Sequence, residues 1–101
     1  MYELSKDRFL ELKHHCAQYV GWNTEYRDLI FKRMYDPTGL VAVRKKWLLD
    51  QMDPIDETLA EVFSKGGYAY RKTREAIITG SRPEIETERY RKFFWLLDKK
   101  L

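Results

Sequence analysis

The chain has 101 residues, 44% hydrophobic and 15% aromatic. That is enough for one modest core in a single domain, and too apolar for a disordered segment. One cysteine, Cys16, leaves no internal disulfide to form, and the opening residues carry no apolar signal core, so a cytoplasmic protein of a reducing compartment is expected. The net charge is +3 and the pI about 9.0, unevenly spread: residues 65–101 hold ten Lys and Arg against five acids, a balance of +5, whereas 53–64 hold four acids and no base.

Apolar spacing is helical almost throughout, and no stretch has convincing strand periodicity. Ser5 is a good N-cap for a first helix running to about Tyr19, with Phe9, Leu12, Cys16 and Tyr19 as its stripe, backed by Val20. After Gly21, a second helix is expected from about Asn23 to Tyr35 with Tyr26, Leu29, Ile30 and Met34 inward, Trp22 acting as a hydrophobic staple before it. Asp36-Pro37-Thr38-Gly39 is turn chemistry. A third helix, about 40–51, would turn Leu40, Val43, Trp47 and Leu48 inward. Asp53-Pro54 has the form of a fresh N-cap and first helical position, so a fourth helix is expected from there to about 64, with Ile55, Leu59, Val62 and Phe63 inward.

The last third is the most specific. Gly66-Gly67 precedes a short basic helix, 68–78, with Ala69, Thr73, Ala76 and Ile77 inward. Thr79-Gly80-Ser81 then breaks the chain before a sixth helix, 82–99, headed by the capping box Ser81-Arg82-Pro83-Glu84 and buried through Tyr90, Phe93, Phe94 and Leu97. Two helices joined by a short Gly-containing turn form the signature of a helix-turn-helix, with Ala76 and Gly80 spaced for a close crossing of the pair. The expected architecture is therefore all-α: a compact bundle of five to six short helices in one domain, 1–64 a scaffold and 65–101 a helix-turn-helix-like unit.

A helix-turn-helix of this charge points to double-stranded DNA. Arg82, Arg89 and Lys92 would approach the duplex from the second helix, with Arg91 beside them, while Arg71, Lys72 and Arg74 would hold phosphates from the first. The plainer alternative is a solvated face balanced by neighbouring acids. Glu84, Glu86 and Glu88 sit in the turns that a recognition helix pushes into the groove, where phosphates repel them. His14-His15-Cys16 is not a metal site, because adjacent helical residues diverge by about 100° and no second ligand group completes four. No phosphate loop, nucleophile elbow or zinc-protease motif occurs, so neither an enzyme nor a cofactor is expected. Trp95 lies off the main stripe and would be covered either by the N-terminal part or by a second copy.

The segments Leu4-Ser5-Lys6-Asp7-Arg8-Phe9-Leu10-Glu11-Leu12-Lys13, Asp36-Pro37-Thr38-Gly39 and 89–100 resemble the RinA/ArpU type of late-gene transcription regulator encoded by phages and prophages of Gram-positive bacteria. That resemblance implies a helical N-terminal part and a sigma-factor-like C-terminal helix-turn-helix, with 68–78 as supporting helix, 82–99 as recognition helix and Arg89, Arg91 and Lys92 as the matching basic cluster. The Glu84, Glu86, Glu88 series departs from the family pattern. Phages also reuse small helical folds as inhibitors of host defence, so the alternative is an anti-CRISPR-like protein whose Glu84, Glu86 and Glu88 meet a basic groove on a host partner. A virion or packaging assembly protein is a third reading. A homodimer would fit so small a DNA reader.

Overall fold

The structure is a computed structural model that describes residues 3–31, 37–63, 67–81 and 88–101. All regular elements among them are α-helices: α1 (Lys6–Cys16), α2 (Tyr19–Phe31), α3 (Leu40–Val62), α4 (Tyr68–Thr79) and α5 (Glu88–Lys100). None is long and apolar enough to cross a membrane.

Ser5 caps α1: its backbone is extended and its side chain accepts from the Arg8 amide at 3.1 Å. Asp7 in the first turn and Lys13 in the last complement the helix dipole. The helix ends at Cys16, a turn earlier than its apolar stripe predicts. Ala17 and Gln18 form a tight corner, their amides donating back to Lys13 and His15, and α2 starts at Tyr19. Gly21 and Trp22 therefore lie inside α2 instead of before it. Trp22 is a buried core residue, its ring edge-on to those of His15 and Trp47.

The expected third and fourth helices are one. Asp53 and Pro54 sit in the middle of α3, which continues through the proline. Pro54 cannot donate to the carbonyl four residues back, a loss of about 3 kcal/mol in a helix interior. What offsets it is a single buried stripe on both sides of the proline: Leu48, Met52, Ile55 and Leu59. Thr58, also buried, returns its hydroxyl to the Pro54 carbonyl at 2.6 Å. At the other end of α3, Leu40, Val43 and Trp47 are exposed, contrary to their apolar spacing, and so is Ile30 on α2. Met34, assigned to the same α2 stripe, lies outside the described residues.

The core joins Leu12 and Cys16 of α1, Tyr19 and Trp22 of α2, the α3 stripe with Phe63, Ile77 of α4, and Tyr90, Phe93, Phe94 and Leu97 of α5. The start of α1 packs along α5, Arg8 donating to Asp98 and Phe9 lying edge-on to Tyr90 and Phe94. α2 and α3 are antiparallel, through Glu25 with Arg44 and Trp22 with Trp47. Cys16 is fully buried, and burial pushes its thiol up from 9.0 to about 12. The folded chain should therefore resist thiol reagents, labelling at the rate of unfolding. The neutral thiol stabilises the fold fully below the unfolded value near 9, and that contribution drains away as pH climbs towards about 12. Rapid labelling at neutral pH in the native state would contradict this placement.

Candidate nucleic-acid interface

α4 carries its polar residues on one side. Tyr68, Arg71, Lys72, Glu75 and Thr79 are exposed, while Ala76 and Ile77 are buried. The Lys72 ammonium lies 5.9 Å from the Tyr68 ring centroid, within reach of a cation–π contact. At its end Thr79 accepts or donates a hydrogen bond to Ser81 at 2.8 Å and returns its hydroxyl to the Glu75 carbonyl. Gly80 then stops the helix in the left-handed region, φ +71°. A Cβ at Gly80 would stand 2.9 Å from that of Ala17. Among the described residues, the close approach that this glycine permits is to the α1–α2 corner; the start of the following helix, towards which the Ala76–Gly80 spacing points, lies outside them.

Arg74 faces inward. Its guanidinium lies 5.3 Å from the Tyr19 ring centroid and donates to the Tyr19 hydroxyl at 3.4 Å. Tyr19 in turn donates to both carboxylate oxygens of Asp56, at 3.1 and 2.9 Å. Burial first, and then Asp56, raise the Tyr19 phenol above its ordinary value near 10, so it holds its proton for that bond. The Arg74–Tyr19–Asp56 chain ties α4 to α2 and α3, and it takes Arg74 away from the surface role its sequence position predicts.

α5 buries Tyr90, Phe93, Phe94 and Leu97 and turns Glu88, Arg89 and Arg91 to solvent; Lys92 is half-buried. Trp95 is half-covered on its own helix by Lys99, whose ammonium is 3.5 Å from the ring centroid. Towards the end of α5, Asp98 is taken by Arg8 and Lys100 reaches Glu61 at 2.6 Å. Arg82, Glu84 and Glu86 lie outside the described residues.

α4 packs mainly on α1 and α2, and α5 mainly on α3 and α1. Among the described residues the two helices share α1 as a neighbour and do not form one of the principal helix pairs. Arg71 and Lys72 on one helix and Arg89 and Arg91 on the other give two short exposed cationic strips. Of the adjacent His14, His15 and Cys16, the first is exposed, the second turns to Trp22 and the third enters the core, so the three diverge. The inward turn of Arg74 is the feature that periodicity could have shown: it sits one position after Thr73 and two before Ala76, on the edge of the buried face. No family model matches the chain, and no curated protein or solved structure matches it at a significant level.

Proposed function

We propose that the chain is a DNA-binding protein, a transcription regulator of the phage late-gene type, that grips the duplex backbone with α4 and the first half of α5. The observation that carries this reading is the exposure of Arg71, Lys72, Arg89 and Arg91 on the outer faces of two helices whose inner faces are fixed in the core. The local balance of +5 over 65–101 supports it. Arg74 then acts as an anchor: by holding α4 on Tyr19 it fixes where Arg71 and Lys72 stand.

The test is fluorescence anisotropy on random-sequence duplex at low and moderate salt. The unaltered chain should bind, more weakly as salt rises. Arg71→Ala with Lys72→Ala should lower affinity by about tenfold and reduce the salt slope by about 2, with helical content unchanged. Absence of salt-sensitive binding by the unaltered chain would overturn the reading. The second reading, a protein-binding inhibitor of host defence, draws support from Glu88, exposed in the first turn of α5 where phosphate would be repelled. It predicts no duplex binding and retention on a basic host nuclease.

A further inference from the structure

His15 stands in the last turn of α1, beside the corner that leads into α2. Its ring lies edge-on to that of Trp22, 5.0 Å between centroids, and Trp22 is itself buried and edge-on to Trp47 of α3. The His15 Nε2 is shut off from solvent and meets no hydrogen-bond partner; among the described residues it is the one buried side-chain nitrogen or oxygen so placed. A neutral imidazole tolerates that position at a modest cost. An imidazolium carries N–H on both nitrogens, and the Nε2 proton would find neither water nor an acceptor.

The surrounding charges offer no relief. Arg8, two turns earlier on α1, acts on the ring as a second cation, and is bonded to Glu11 on its own helix and to Asp98 on α5. Lys13 and His14, which share the last turn of α1, bring no negative charge. α2 meets the ring with Trp22, backed by Trp47 of α3, and neither indole titrates. α4 reaches the corner with a further cation, Arg74, bonded to Tyr19, whose hydroxyl is spent on Asp56 of α3. A helix C-terminus ordinarily favours an imidazolium. Here burial first, and then Arg8, hold His15 below its usual 6.5.

We propose that His15 is a proton-operated latch: taking up a proton drives its ring from Trp22, opens the α1–α2 corner and frees the end of α4 that is seated there. The corner carries α4 at two points, Gly80 against Ala17 and Arg74 on Tyr19. The aromatic cluster of α5 with Phe9 lies apart from both, so the opening is local and leaves the core closed. The direction in pH follows from linkage. The contribution of neutral His15 is complete above 6.5 and is lost as pH falls through the lower folded value, a window above the range near 4 where ordinary carboxylates titrate. Arg71 and Lys72 ride on α4, but the latch is read at the corner itself, and failure to bind duplex leaves it standing.

The test compares the unaltered chain with His15→Phe, which keeps a flat ring against Trp22 and cannot take a proton. Proton NMR of the imidazoles, with His14→Gln to assign the signals, should show His15 titrating below 6.5. Tryptophan fluorescence should fall in the same step, because an imidazolium against an indole quenches it, and His15→Phe should lose that step. Labelling of Cys16 by a pyridyl disulfide, scaled to a free thiol at each pH, should quicken between pH about 7.5 and pH about 5. The ceiling is about thirtyfold, set by an open-state histidine that titrates near 6.5. His15→Phe should show no such rise, and His15→Gln supplies the same comparison if His15→Phe fails to fold. A His15 that titrates at or above 6.5, Cys16 labelling that acid does not quicken, or a quickening that persists in the folded His15 variant would each overturn the proposal.

Discussion

Phe94→Ala should cost about 4 kcal/mol of folding free energy and lower the melting temperature by roughly 20 °C. Phe94 is fully buried and is the hub of the aromatic cluster, edge-on to Phe9 at 5.0 Å, Tyr90 at 5.1 Å and Phe93 at 5.0 Å between ring centroids. Removing the ring leaves a cavity that three other rings border and that cannot collapse without moving α1 towards α5. For a domain of this size that is a large share of total stability. Phe31→Ala is the control: the same chemical change on a ring that is mostly in solvent should leave the monomer's melting temperature unaltered. Thermal unfolding followed by circular dichroism measures both, and equal losses would contradict the burial of the one and the exposure of the other.

Gly80→Ala should be the next most damaging exchange, at about 2 to 3 kcal/mol. Two penalties combine: a left-handed backbone, worth about 1 kcal/mol for a residue with a Cβ, and a methyl group forced against Ala17. They can be separated. Gly39 has nearly the same dihedral, φ +73°, with no atom within 4 Å of its added Cβ, so Gly39→Ala isolates the backbone term. Ala17→Gly in the Gly80→Ala chain should recover the crowding term alone. If Gly39→Ala and Gly80→Ala cost the same in denaturant unfolding, the α4 terminus does not press on the α1–α2 corner.

Much of the fold is legible in the residues because local signals and packing agree. Ser5 caps α1, and the inward set Tyr90, Phe93, Phe94 and Leu97 of α5 is the one its 3.6-residue period selects. Where they disagree, packing overrides. Asp53-Pro54 has the chemistry of a helix start, but Leu48 and Met52 before it and Ile55 and Leu59 after it want the same wall of the core, and one rod satisfies all four. The corner at Ala17-Gln18 carries neither Gly nor Pro, and the element that packs closely on it, Gly80, is remote in the chain. Leu40 and Val43 have an inward period and yet stand exposed, while Trp47 meets the Trp22 ring edge-on. At the candidate interface, charge alone cannot distinguish Arg71 from Arg74: the difference is made by Tyr19 and Asp56, which the sequence places far from either.

The pairing of Arg8 and Phe9 with Asp98 and Phe94 spans about as great a separation along the polypeptide as this unit allows. During synthesis α1, α2 and α3 emerge first, with Leu12, Cys16, Leu48 and Leu59 lacking the layer that α5 brings. Until α5 docks, the partly folded chain thus holds an open apolar groove, the kind of surface that leaves an incomplete fold prone to association.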